Sequence, residues 1–347
     1  MPASTIQTHS VKMLYLPRTM DNWPCPCKIN PHYKEISSQS NAWFHSFRAF
    51  STRSQRVFDK CDFEHLRTGC DLMNLFFVID KYTDMEPAPV VCKMVDIVID
   101  TLKNPEKPCP EAEVILGQIT KEFWQLALKT AMPSAAKHFV ETFTDSLELV
   151  VTQAADRDND KIETMDEYLK NRCENIGAQP SYVPGELHLD LPDEAFYHPI
   201  IKELEYLIAE LVLLDNDLAS HNKEQAAGDD RHNIVTIAMH QFHTNYEGAI
   251  EWICRYHTEV ESKFIAGMKC VPSFGAEVDK QLKEYIKHLA NFPRGNDCWN
   301  FESGRYFGSE GLEIQKTRFV ALLEQVKQDP AAKKDQVVVP SVVDALY

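Results

Sequence analysis

The chain alternates long stretches carrying apolar residues at helical spacing with short polar or proline-bearing breaks. No strand-turn-strand rhythm of the Asn-Gly kind interrupts them. Helices are predicted over residues 40–60, a stretch carrying Trp43, Phe44, Phe47 and Phe50, and over 64–81, 90–102, 112–130 and 134–155. Further helices are predicted over 164–175, 193–224, 229–243, 246–266 and 275–290. Pro87 and Pro89 break one junction, and Asn104 to Pro108 form a loop. Asp156 to Lys161 form a polar turn, Gly177 stops a helix, and Gly295-Asn296-Asp297 marks a turn. Pro17, Pro24, Pro26 and Pro31 predict an irregular segment over 1–38 that wraps the helical body. With no repeat and no long linker, residues 39–326 read as one helical domain and 327–347 as a tail.

Composition strengthens the helical reading. Only 12 of the 347 residues are glycine and 44% are hydrophobic, which suits a large all-α core. The net charge of -16 excludes a nucleic-acid surface, because phosphate binding needs clustered Lys and Arg. Ten cysteines are scattered without zinc spacing, Cys25 and Cys27 lying too close for a Cys-x2-Cys pair, and they read as thiols in a reducing compartment. The first 16 residues lack the apolar core and cleavage site of a secretory signal. No apolar run approaches the ~20 residues of a membrane span. A cytoplasmic protein is expected.

The candidate chemistry lies on two stripes. Asn216, Ser220 and Glu224 recur at i, i+4 and i+8, which on a helix stacks an amide oxygen, a hydroxyl and a carboxylate on one face. Three hard oxygen donors in a row suit Mg2+. Asp80 and Asp84 repeat the i, i+4 rule directly after the apolar run Leu72 to Ile79. Two such stripes at the mouth of an apolar barrel would hold a diphosphate and enclose a hydrocarbon. His240 and His243 lack a third ligand at useful spacing and are not taken as a metal site.

These motifs, with Arg305-Tyr306 near the C-terminus, resemble class I terpene synthases, and within them the basidiomycete sesquiterpene synthases of the Δ6-protoilludene synthase-like group. Asn22-Trp23-Pro24, Leu66 to Asn74, Gly228 to Val235, Arg294 to Trp299 and Phe301 to Gly308 carry the same resemblance across nearly the whole chain. It implies an all-α bundle with a central active-site cavity open at one end. It also implies a Mg2+-dependent sesquiterpene cyclase that ionises farnesyl diphosphate, with three ions on the bound diphosphate, acting as a monomer or a homodimer. Asp80 would bind Mg2+ and Asp84 support the mouth. Asn216, Ser220 and Glu224 would bind another ion. Arg305 and Tyr306 would hydrogen-bond the diphosphate, Lys223 would add a point charge, and Arg172 would sense the diphosphate. Phe76, Phe77, Phe292 and Trp299 are candidate cavity aromatics, whose faces stabilise positive charge.

Three departures stand out. Lys81 replaces the usual second acid of the first motif, Cys173 replaces one arginine of a usual pair, and the segment around residues 61–66 is shorter than in relatives. They motivate a rival reading, a non-catalytic diphosphate-binding relative; a cyclase with another C15 product is a further alternative. A chain-elongating prenyl transferase is disfavoured, because such enzymes carry a second Asp-rich motif where this chain has the Asn/Ser/Glu triad.

Overall fold

The computed structural model describes residues 12–25, 33–47, 67–84, 86–158, 163–182, 185–228, 230–325 and 341. The end of the first predicted helix, the short segment at 61–66 and nearly all of the predicted tail lie outside them. In chain order the elements are β1 (Met13–Tyr15), α1 (Tyr33–His45), α2 (Arg67–Thr83), α3 (Ala88–Lys103), α4 (Leu116–Ala127), α5 (Pro133–Asp158) and α6 (Met165–Asn175). Then come α7 (Ala178–Ser181), α8 (Asp193–Phe196), α9 (Pro199–Ala227), α10 (Ile234–Gln241), α11 (Tyr246–Gly267), α12 (Ala276–Leu289), α13 (Phe292–Glu302), α14 (Gly311–Thr317) and β2 (Phe319–Ala321).

The all-α expectation holds, with corrections to individual elements. The helix predicted over 193–224 is two, because Pro199 lacks an N–H and holds His198 extended, so α9 starts afresh there. Gly295-Asn296-Asp297, expected as a turn, lies inside α13, where Pro293 opens the helix and packing against α9 overrides weak local propensity. The segment expected to be irregular up to residue 38 contains β1, and α1 begins at Tyr33. β1 pairs antiparallel with β2, Leu14 opposite Val320, so residues from the two ends of the described chain form one small ribbon.

Helix α9 explains the architecture. From Leu207 to Asp215 every residue is buried, as expected of a helix surrounded by others. One apolar core forms around it from α6 and α10–α13. A second forms among α1–α5, where Phe123, Trp124 and Phe139 are in mutual ring contact and Phe143 meets Phe139. The seam between the two cores is where the cavity opens. Arg294 fastens the segment before α1 to this body, its Nη2 donating to the carbonyls of Met20 and Trp23.

Beside that segment, Asp297 on α13 lies 3.5 Å from the Arg318 guanidinium. Burial, then the Asp215 carboxylate, push its acid up to about 6, against Arg318 and Arg294. The folded state therefore holds this proton more tightly than the unfolded chain does, and stability attached to it falls as pH rises from about 4 to about 6. The displacement corresponds to about 3 kcal/mol. In urea melts, the stability of Asp297→Asn relative to the parent is expected to improve by up to that amount across this window; a difference independent of pH would refute the assignment.

Candidate active site

A cavity of ≈ 240 Å³ lies in the seam, walled by α2, α5, the α6–α7 junction, α9 and α13. Each wall has a sequence reason. α2 presents Met73, Phe76, Phe77 and Asp80 at helical spacing, so one face carries both the apolar wall and its acidic end. α6 starts with a Thr164–Glu167 capping box and ends at Gly177, whose φ of 75° suits glycine. A Cβ there would also meet the Phe76 ring at 3.4 Å. Phe292, Gly295, Asn296 and Trp299 of α13 close the far side, and Arg305 and Tyr306 follow just beyond that helix.

The polar groups gather at one end. Arg172 Nη2 donates to Asn216 Oδ1 at 3.3 Å, and Asn216 Nδ2 donates to the Tyr306 hydroxyl at 2.9 Å. Asp80, Arg172, Asn216, Arg305 and Tyr306 all line the cavity. Asp80 opens onto its mouth, yet the protein around it displaces enough water to push its acid upward, against the pull of Arg305 and then Arg172. Burial likewise raises Tyr306, so it stays a neutral phenol. For Arg172, burial opposes the charge, but Tyr168, Asp217, Glu224 and Asp80 together hold its proton more firmly than usual.

Other expected residues sit behind this front row. Ser220 and Glu224 do not line the cavity; both accept from Asn233 Nδ2, at 3.2 and 2.9 Å. Burial, then the charge of Asp217, raise the Glu224 acid, and Asn233 and Ser220 hold it down. Lys223 is exposed, and its Nζ donates to the Arg305 carbonyl at 3.1 Å. Asp84 follows the end of α2, is exposed and does not line the cavity. All four aromatic candidates, Phe76, Phe77, Phe292 and Trp299, line it. Neither substituted position reaches it: Lys81 is exposed, and Cys173 is fully buried in the core around α9.

Several residues escaped the sequence reading. Phe143 lines the cavity edge-on to Phe76, with centroids 5.3 Å apart. It is the middle of a Phe139, Phe143, Leu147 stripe at i, i+4, i+8 that could have revealed it. Asp217 and Tyr168 have no local signature. The Asp217 carboxylate accepts from the Tyr168 hydroxyl and, at 2.8 Å, from the Ile234 N–H, and its other oxygen lies 3.7 Å from Arg172 Nε.

The donor set fits a hard divalent cation. Asn216 Oδ1 already faces a cationic group, and Ser220 and Glu224 are spaced to share one small partner, Asn233 Nδ2. Among the described residues no cluster of His, Cys, Asp and Glu alone forms a metal site, so any site here mixes amide, hydroxyl and carboxylate oxygens.

A family model, terpene synthase family 2 with C-terminal metal binding, matches residues 71–263, which span both stripes. The chain belongs to that family. It is 62% identical to sesquiterpene synthase 14 of Postia placenta, the match covering 96% of this chain and 98% of the relative. It is 46% identical to a Δ6-protoilludene synthase of Armillaria gallica, over 96% and 99%. Among solved structures it superposes on a linalool/nerolidol synthase from Streptomyces clavuligerus in complex with 2-fluorogeranyl diphosphate, with a TM-score of 0.71 at 18% identity, covering 82% of this chain and 99% of that one. The class I terpene synthase fold, and a terpene cyclase of metal-binding type, are thereby established. No helix among the described residues is long and apolar enough to cross a membrane.

Proposed function

We propose that this terpene synthase ionises farnesyl diphosphate with Mg2+ and cyclises the C15 cation to a polycyclic hydrocarbon, Δ6-protoilludene being the first product to test for. The observation carrying this reading is the convergence of Asp80, Arg172, Asn216, Arg305 and Tyr306 at one end of a cavity whose walls include Phe76, Phe77, Phe143, Phe292 and Trp299. The names of the relatives support the substrate class and the product.

Asp80, Asn216, Ser220 and Glu224 would hold Mg2+, three ions in all, which neutralises charge on the departing diphosphate. Arg305 and Arg172 offer guanidinium forks to the phosphate oxygens, and the Tyr306 hydroxyl adds a neutral donor. The allylic C–O bond breaks with its electron pair leaving on the diphosphate. The carbon chain, now cationic, lies against aromatic faces and away from the polar end. Ser146, Ser181 and Asn296 also line the cavity, but each donates to a backbone carbonyl, of Glu174, Gly177 and Val212, at 3.0, 2.6 and 3.1 Å. Engaging these donors within the protein leaves fewer groups to hold water beside the cation. A proton then leaves the carbon skeleton, and the retained diphosphate is its acceptor.

Incubation of purified protein with farnesyl diphosphate and Mg2+ is expected to give a volatile C15 hydrocarbon by gas chromatography with mass detection, abolished by chelation and restored by added Mg2+. An inactive protein assayed beside an active relative would overturn the reading.

A further inference from the structure

Phe77 has two neighbours that separate it from the other wall aromatics. The Arg305 guanidinium lies 5.0 Å from its ring centroid, within cation–π range. Its ring also stacks on Trp299, with centroids 6.2 Å apart and planes 22° apart. Trp299 in turn meets Tyr306 edge-on at 5.9 Å. One aromatic pair thus supports both members of the Arg305-Tyr306 dipeptide.

We propose that Phe77 is a positioning residue for diphosphate capture: its ring, backed by Trp299, holds the Arg305 guanidinium over the cavity mouth before substrate arrives. This rests on the functional reading above and deepens it. Arg305 lies beyond the end of α13, outside any helix, and a long side chain held over the Phe77 and Tyr306 rings loses less rotamer freedom on binding. Phe77 and Asp80 are three apart on α2, so the ring meets the guanidinium directly while the carboxylate acts on it through its charge. The carboxylate alone would neutralise it and compete with diphosphate. A ring quadrupole orients a cation and leaves its N–H groups directed outward for phosphate. With the guanidinium over this face, Phe76 and Phe143, which meet edge to face, and Phe292 remain as aromatic surface for the hydrocarbon.

The test is a double-mutant cycle on the full chain, read by calorimetric titration with inorganic diphosphate and Mg2+, and by KM and product profile with farnesyl diphosphate. Phe77→Leu is expected to weaken diphosphate binding and raise KM by about three- to tenfold. Phe77→Trp, which keeps an aromatic face, restores affinity. In an Arg305→Ala background, Phe77→Leu has no further effect beyond twofold. Should Phe77→Leu fail to fold, Phe77→Met takes its place in the cycle. Additive losses, or a changed product profile with diphosphate affinity intact, would overturn the proposal and make Phe77 an ordinary wall residue. A parent that binds diphosphate with Mg2+ but yields no hydrocarbon would sink the functional reading and leave the cycle interpretable.

Discussion

Glu224→Gln is expected to lower turnover of farnesyl diphosphate by about a hundred- to a thousandfold, the range seen when one preorganised electrostatic group is removed from an active site. The same variant is expected to melt no lower than the parent. Both results follow from one geometry. The amide oxygen of glutamine can still accept from Asn233 Nδ2, so the 2.9 Å bond and the shape of the site persist. What disappears is a negative charge that burial and Asp217 already disfavour. Without it the folded protein has less repulsion and a weaker hold on a divalent cation, the trade between stability and activity usual at functional sites. Thermal melts with and without Mg2+ plus inorganic diphosphate provide a second readout, because the pair should raise the parent's midpoint more than the variant's. A variant that cyclises within threefold of the parent would remove Glu224 from the metal stripe.

Asp217→Ala is expected to cost about 3–5 kcal/mol, the usual result of removing one partner from a buried charged network. Three donors converge on this carboxylate: the Tyr168 hydroxyl, the Ile234 N–H and the Arg172 guanidinium. Alanine leaves the Ile234 N–H facing a void, leaves the Tyr168 hydroxyl with the His232 carbonyl alone, and leaves Arg172, still bonded to Asn216, with less opposing charge. A margin of about 5–15 kcal/mol makes such a loss visible as a large fall in the urea midpoint. Asp217→Asn keeps one acceptor oxygen and should cost less, yet it should still raise KM, because Arg172 loses the charge that steadies it behind Asn216. A urea midpoint for Asp217→Ala near the parent's would show that water substitutes for the carboxylate.

The candidate metal stripe could be proposed from sequence because helix geometry alone aligns residues four apart. Asn216, Ser220 and Glu224 needed nothing beyond α9 being a helix. The split of that stripe was not legible: Asn216 faces the cavity, while Ser220 and Glu224 turn to Asn233 on the next segment. Spacing along one helix does not reveal which neighbour arrives from another. Phe292 and Trp299 were found as candidates although the helix carrying them was not. The Gly-Asn-Asp run in its middle reads locally as a turn, and packing against α9 behind the Pro293 start holds it helical. The break before Pro199 had a sequence signal, the proline itself, whereas the Tyr168–Asp217 bond spans 49 residues and had none.

The β1–β2 ribbon has a consequence for how the molecule is made. Arg18 donates to the Lys316 carbonyl across 298 residues. From β2 and the residue after next, the Ala321 carbonyl and the Leu323 N–H both bond the side chain of Asn222, which lies between Ser220 and Glu224 on α9. A ribosome delivers this chain from the other end, so the clasp cannot shut until translation has passed Leu323. The nascent protein therefore carries the helix of the candidate ion-binding residues without this brace from its completion at Ala227 until Leu323 has been made, and assembly of the working pocket is among the last events of its birth.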